Sequence, residues 1–251
     1  MTGRGERVAG HRRNTLPGVA DRPQLSVIVP TFNEGRTILE VLERLRALPL
    51  TQQVIVIDDC STDGTSELIE AARLPEVELV RHERNRGKGA ALRTGFALAH
   101  GQIVVIQDAD LEYDPADIPD LVRPILEGRA DVVFGSRLIG GKPQRAHLFW
   151  HKVGNRGLSL ITNVLYNTTL SDMETGYKAM TLEVLREIEP LHESDFRIEP
   201  ELTAKICRGS YRVFETPISY YGRSYAEGKK ITWRDGFPAV AALVKYRFRD
   251  S

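Results

Sequence analysis

From Leu25 onward, short apolar runs alternate with longer segments whose apolar residues recur at helical spacing. Residues 25–30 are apolar and rich in β-branched side chains, which predicts a strand. Residues 36–48 place Ile38, Leu39, Val41, Leu42 and Leu45 on one stripe, the pattern of an amphipathic helix. The same reading gives strands at 54–57, 77–80, 103–107 and 131–134. It gives helices from the Ser61-Thr62-Asp63-Gly64 turn to about residue 73, over 87–99, and from a proline-started turn near Pro115. Longer helical patterns occupy 149–166 and 198–207.

Alternation of this kind predicts an α/β fold with a mostly parallel sheet covered on both faces by helices. Ligands of such sheets bind beyond the carboxyl ends of the strands, and the polar residues fall there. Thr31-Phe32-Asn33-Glu34 follows strand one, Asp58-Asp59-Cys60-Ser61 strand two, Asp108-Ala109-Asp110-Leu111-Glu112 strand four and Gly135-Ser136-Arg137 strand five. One polar loop is a turn, whereas four on one rim make a site. Three segments are expected: a mobile basic tail over 1–23, a nucleotide-binding half over 24–140, and an acceptor-binding half with terminal helices over 141–251.

Composition narrows the picture. The chain has 251 residues, 41% of them hydrophobic, enough for one sizeable core. Lys+Arg and Asp+Glu both number 34, which argues against nucleic acid as the main partner. Two cysteines, Cys60 and Cys207, make neither a disulfide framework nor a zinc cluster. No apolar stretch reaches the roughly 20 residues that span a bilayer, and the amino-terminus lacks a signal-peptide core. The expected location is cytoplasmic. The tail sets Arg4, Arg7, Arg12, Arg13 and Arg22 against Glu6 and Asp21, so it is basic.

The rim residues suggest their own chemistry. Carboxylates two apart on an extended chain share a face, so Asp108, Asp110 and Glu112 can converge at the strand end. Like charges gathered there are unfavourable unless a cation sits among them. Oxygen-only ligands select a hard ion, Mg²⁺ or Mn²⁺, shared with substrate phosphates. Asp58 and Asp59 suit the hydroxyls or base N–H groups of a nucleoside. Residues 30–35 lack the glycine fingerprint of a dinucleotide site. Lys88, between Gly87 and Gly89 at a helix start, suits phosphate, although no Ser or Thr follows as a Walker A loop requires. A nucleoside diphosphate compound satisfies all three groups.

The stretches Val-Ile-Val-Pro-Thr-Phe-Asn-Glu (27–34), Val-Ile-Asp-Asp-Cys-Ser-Thr-Asp-Gly-Thr (56–65), Asn-Arg-Gly-Lys-Gly-Ala-Ala (85–91) and Asp-Ala-Asp-Leu-Glu (108–112) resemble a family 2 glycosyltransferase of the GT-A fold. Within it the chain most resembles the dolichyl- or polyprenyl-phosphate mannose and glucose synthases. The resemblance implies that Pro30, Phe32, Glu34, Asp58 and Asp59 hold the nucleotide and that Asp108 and Asp110 bind the metal. Glu112 stands where relatives often carry Gln, so its place among the metal ligands is a departure from the pattern. Arg137 would approach a phosphate. Asp172-Met173-Glu174-Thr175-Gly176-Tyr177-Lys178 resembles the segment where relatives put acids near the sugar. Residues 220–230, with Arg223 and Lys229, resemble the loop that grips a lipid phosphate. The implied reaction inverts the anomeric carbon and takes GDP-mannose or a UDP-hexose as donor.

The acceptor stays open between a polyprenyl phosphate and a saccharide or small-molecule hydroxyl. A phosphate monoester is largely ionised near neutral pH and attacks without a strong base. A hydroxyl needs one, and Asp172 or Glu174 are the candidates. A nucleotide-sugar-binding partner without turnover is a third reading, which the intact acidic triplet disfavours. Residues 233–248 mix aromatic and basic side chains; they can lie in the inner face of a membrane as a peripheral contact or pack on the sheet.

Overall fold

The computed structural model describes residues 24–50, 52–146, 149–223 and 236–248. The basic tail, Lys229 and the start of the 233–248 segment lie outside the described residues. In chain order the elements are β1 (Leu25–Thr31), α1 (Ile38–Arg46), β2 (Gln52–Asp58), α2 (Thr65–Ala72), β3 (Val77–Arg81), α3 (Lys88–Leu98), β4 (Ile103–Ile106), α4 (Ile118–Leu126), β5 (Val132–Ser136), α5 (Phe149–Tyr166), β6 (Lys178–Thr181), α6 (Leu182–Ile188), α7 (Ile198–Arg208), β7 (Val213–Pro217) and α8 (Gly236–Phe248). A 3₁₀ turn over Pro115–Asp117, capped by the Asp114 carboxylate accepting from Ala116 N, leads into α4.

The strands form one sheet in the order β3-β2-β1-β4-β6-β5-β7. β1, β2, β3 and β4 pair in parallel, as does β5 with β7, while β6 runs antiparallel to both β4 and β5. Side chains alternate between two cores. Val27, Val29, Val54, Val56 and Val105 pack against α1, α2 and α4 on one face. Ile28, Ile55, Ile57, Val104 and Ile106 pack against α3, α6 and α7 on the other. Each fully buried branched side chain contributes about 1.5–3 kcal/mol. A smaller cluster of Met173, Ala204, Ala242, Leu243 and Tyr246 seats α8 on α7 and α5.

The predicted strands and helices of the first 134 residues all appear, with boundaries moved by a few positions. Three later elements have no counterpart in the sequence reading: β6, α6 and β7. β6 opens on Lys178, which is wholly buried, so hydropathy reads it as surface. β7 is a half-buried edge strand closing on Pro217, which suits an edge, where a missing N–H costs no ladder bond.

Candidate active site

A cavity of about 1100 Å³ opens at the carboxyl ends of β1, β4 and β5. Because β6 is reversed, its amino end meets the same rim, and residues 172–177 arrive beside those that follow β4 and β5. Pro30, Phe32 and Glu34, then Asp108, Asp110 and Glu112, then Arg137, and finally Glu174 and Gly176 all line the cavity. Lys88 and Asp59 reach it from α3 and β2, and Tyr220 and Arg223 close one side.

The loops after β1 and β2 are stitched together, which fixes Phe32 and Glu34. Asn33, in the left-handed region at φ 55°, accepts from Thr62 N through Oδ1 at 2.8 Å. Its own N–H donates to Ser61 Oγ at 2.8 Å, and Gly35 N donates to Asp63 Oδ2 at 3.0 Å. Asp58 is wholly buried and absent from the cavity lining. It accepts from Ser61 N at 3.0 Å and from the hydroxyls of Ser61 and Ser66. Asp59 accepts from Arg86 N, from Gly87 N at 2.7 Å, and makes a 2.7 Å hydrogen bond with His82 Nδ1. Both acids of the pair expected to face a nucleoside thus accept hydrogen bonds that hold two loops, and of the two Asp59 lines the cavity. Gly87 has φ +88°, and a Cβ there would meet Ser194 carbonyl carbon at 3.2 Å, so loop 193–195 lies directly on the start of α3.

Beneath the rim runs a line of alternating charge. Lys88 Nζ bridges Asp108 Oδ1 at 2.8 Å and Glu199 Oε1 at 3.1 Å. Lys178 Nζ holds the other oxygen of Glu199 at 2.5 Å and also donates to Thr175 O at 2.5 Å. Burial pulls the Lys88 ammonium down, but Asp108 and Glu199 outweigh it and its pKa is raised. Burial likewise opposes the Glu199 carboxylate, and the two lysines leave its pKa lowered. Lys88, expected on a phosphate, is thus a bridge between carboxylates. Gly176 is required here, since a Cβ would press on Asp108 Oδ2 and stand 3.2 Å from the Tyr113 ring.

Among the described residues no ion pair reaches the Asp110 carboxylate, whose Oδ1 accepts from Glu112 N at 3.0 Å. Burial first, then the charges of Asp108 and Glu112, push it up to about 7. Glu112 turns from its two neighbours: Oε2 accepts from Tyr220 OH at 2.8 Å and Oε1 from Arg223 N at 2.6 Å. Among the described residues no three acid, His or Cys side chains stand together as a metal cage, so the structure does not assemble the expected triplet. Asp108 and Asp110 do fit a hard cation. Two carboxylates completed by substrate oxygens are what Mg²⁺ commonly takes, and the raised Asp110 records negative charge that a cation would relieve.

Arg137 forks onto Asp172, Nε and Nη2 each 2.7 Å from one carboxylate oxygen, while Arg137 N donates to the same group at 3.0 Å. The guanidinium carbon lies 5.2 Å from the Tyr220 ring centre and 6.0 Å from that of Tyr113. Tyr113 stacks on Tyr177 at 4.9 Å and accepts from Gly176 N through its hydroxyl at 3.0 Å. Of the two candidate bases, Asp172 is therefore a counter-ion. Glu174 is different: Oε1 is buried without a hydrogen-bond partner. Burial first, then Glu199, push its carboxyl up to about 7. Arg223 Nη2 pairs with Glu34 Oε2 at 2.9 Å and donates to Asp110 O at 2.6 Å, tying the loop at 220–223 across the rim.

Sequence reasoning passed over Tyr113, His82, Lys178 and Glu199. Tyr113 carried a signal, an aromatic directly after the acidic stretch. Glu199 and Lys178 carried none, because charged residues on a helix and at a strand start ordinarily point to water.

The model of glycosyl transferase family 2 matches residues 26–189. The chain belongs to glycosyl transferase family 2. A dolichol-phosphate mannosyltransferase of Pyrococcus furiosus is 31% identical over 213 residues, covering 82% of this chain and 59% of that one. An undecaprenyl-phosphate mannosyltransferase of Micrococcus luteus is 29% identical over 209 residues, covering 80% and 85%. Among solved structures, glucosyl-3-phosphoglycerate synthase of Mycobacterium tuberculosis, crystallised with Mn²⁺, UDP and glucosyl-3-phosphoglycerate, superimposes with a TM-score of 0.70 at 22% identity, covering 92% and 82%. This family 2 glycosyltransferase accordingly has the GT-A fold expected from its sequence, with the rim described above as its candidate active site.

Proposed function

We propose that this glycosyltransferase moves a hexose from a nucleotide-diphosphate sugar, GDP-mannose or a UDP-hexose, to a polyprenyl phosphate with inversion at the anomeric carbon. Support for the acceptor comes from relatives named for dolichol phosphate and undecaprenyl phosphate that cover four-fifths of this chain. The observation that carries the donor side is the pair Asp108 and Asp110, with Asp110 crowded by like charge at the strand end. Mg²⁺ or Mn²⁺ would be held by these two carboxylates, as Mn²⁺ accompanies UDP in the structural neighbour, and would neutralise the departing diphosphate. Around it the chain's own groups position the reactants. Phe32 and the β1 loop form the nucleotide-side wall, Lys88 fixes the Asp108 carboxylate, and Glu174 faces the sugar. Arg137 and Arg223 set positive charge on the cavity wall for a phosphate, with the fork of Arg137 held by Asp172 and that of Arg223 by Glu34. An ionised phosphate monoester needs no strong base, so the work is positioning and charge stabilisation.

One observation favours a second reading. Glu174 is unpaired at Oε1 and its carboxyl sits near neutrality, as a base for a hydroxyl acceptor would. The two readings part in one assay. Purified protein is given Mg²⁺ or Mn²⁺, labelled GDP-mannose, UDP-glucose or UDP-N-acetylglucosamine, and either undecaprenyl phosphate or soluble saccharides. Label in the lipid fraction, abolished by EDTA and by Asp110→Ala, is the expected result. Transfer only to a soluble acceptor refutes the lipid reading, and full activity of Asp110→Ala refutes the metal assignment.

A further inference from the structure

Glu199 lies one lysine behind the metal-side carboxylate of Asp108, and three positive influences converge on it. Lys88 Nζ stands 3.1 Å from Oε1 and Lys178 Nζ 2.5 Å from Oε2. The residue also sits in the first turn of α7, where the exposed N–H groups of a helix favour negative charge. A carboxylate so enclosed, 5% exposed, gives a fold little net stability, because the desolvation of buried ion pairs offsets their attraction. Its charge therefore calls for a use beyond holding α7 in place.

That use follows from the position of Lys88. Its ammonium holds Asp108 Oδ1 at 2.8 Å, with side chains 14% and 21% exposed, so water screens the pair weakly. An ammonium in this place does two opposed things. It fixes the orientation of the carboxylate, and it spends the charge that a divalent cation on the same group would need, while repelling that cation directly. Lys88 is anchored at the first position of α3, under the loop whose Ser194 carbonyl accepts from Ala90 N at 3.1 Å. Glu199 meets the ammonium from the side away from Asp108. Lys178 in turn keeps Glu199 ionised from the opposite oxygen, and its other donors go to Thr175 O at 2.5 Å and Met173 O at 3.4 Å.

We propose that Glu199 is a positioning residue of the metal site: it takes up the charge of Lys88, so that Lys88 can orient the Asp108 carboxylate without displacing a divalent cation from it. This rests on the assignment of Asp108 and Asp110 as the cation-binding pair. Glu199 acts through Lys88, and the affinity for the cation is then set from α7, an element that supplies no ligand to it.

The test is titration of Mn²⁺ into the full chain with UDP or GDP present, bound Mn²⁺ being read by electron paramagnetic resonance against a protein-free nucleotide blank. Glu199→Gln should weaken Mn²⁺ binding about tenfold or more. In a Lys88→Met background the same replacement should change it by less than about twofold, since the charge to be answered is gone. Glu199→Gln leaves two buried ammonium groups short of an anion, so the pair Glu199→Gln with Lys178→Met, which removes one charge of each sign, is measured beside it with urea midpoints for all variants. We expect this pair to unfold at a higher midpoint than Glu199→Gln and still to bind Mn²⁺ weakly. Recovery of Mn²⁺ affinity along with the midpoint would assign the effect to stability alone and overturn the inference. Equal losses with and without Lys88 would also overturn it, as would wild-type affinity in Glu199→Gln; both leave the metal assignment intact. Wild-type protein that takes up no Mn²⁺ with either nucleotide refutes the metal assignment itself, and the inference with it.

Discussion

Replacing Asp172 with Asn removes the counter-charge from a guanidinium whose side chain is only 13% exposed, beside a carboxylate with no exposure at all. Breaking a buried ion pair by removing one partner costs about 3–5 kcal/mol, because the other charge stays buried and uncompensated. Arg137 retains some water and the faces of Tyr113 and Tyr220, so we predict the lower end, about 3 kcal/mol. Against a total stability on the order of 5–15 kcal/mol, that is a large fraction. It lowers the ratio of folded to unfolded protein by about two powers of ten. Urea unfolding at pH 7 should show a lower midpoint with an unchanged slope. A cycle of Arg137→Ala, Asp172→Ala and the double variant should show the double to be less destabilised than the sum by more than about 1 kcal/mol. Were Asp172 a general base instead, Asp172→Asn would lose turnover while keeping the wild-type midpoint. That pattern would refute the counter-ion assignment.

Glu174 should make stability depend on pH. Its folded carboxyl near 7 stands above the ordinary 4.5, so the folded state binds more protons between those values and stability falls as pH rises through that window, by about 3 kcal/mol. Glu174→Gln should melt higher than wild type at pH 8 and match it at pH 4, and equal shifts at both pH values would count against the buried, unpaired state. Gly176→Ala should press a methyl group on Asp108 and Tyr113, lowering kcat at least tenfold for a stability loss of about 1–3 kcal/mol; unchanged kcat would mean that Asp108 tolerates displacement. His82→Leu leaves Asp59 without one of its partners, which should raise the donor KM severalfold through the Arg86–Gly87 turn while kcat holds, and His82→Asn should recover part of the effect. An unaltered donor KM in His82→Leu would show that the turn is held without it.

The first half of the fold was legible because its strands are buried on both faces and read as apolar runs, and because glycines and acids punctuate them. The acids at 108 and 110 were legible for the same reason: an apolar strand ending in carboxylates is an anomaly that hydropathy displays. What failed were charges used inside the protein. Lys178 and Glu199 are neutralised by one another across 21 positions of sequence, a pairing that no local pattern records. Asp58 and Asp59 were found as carboxylates at the rim, but the sequence hides the backbone N–H groups and hydroxyls that they also accept from. Glu112 was misplaced because alternation along a strand stops at the strand's end. Leu111 takes φ +59°, and beyond it the side chains no longer share a face.

The reversal of β6 turns the sheet into a ruler. Neighbouring strands lie about 4.8 Å apart, and β6 is the one strand between β4 and β5. Asp108 after β4 and Arg137 after β5 therefore follow strands offset by about 10 Å of hydrogen-bonded scaffold. Residues 174–176 project from the end of the strand in between. On the proposed function, the gap a transferred group must bridge would be set by the spacing of backbone ladders and not by the loops on either side.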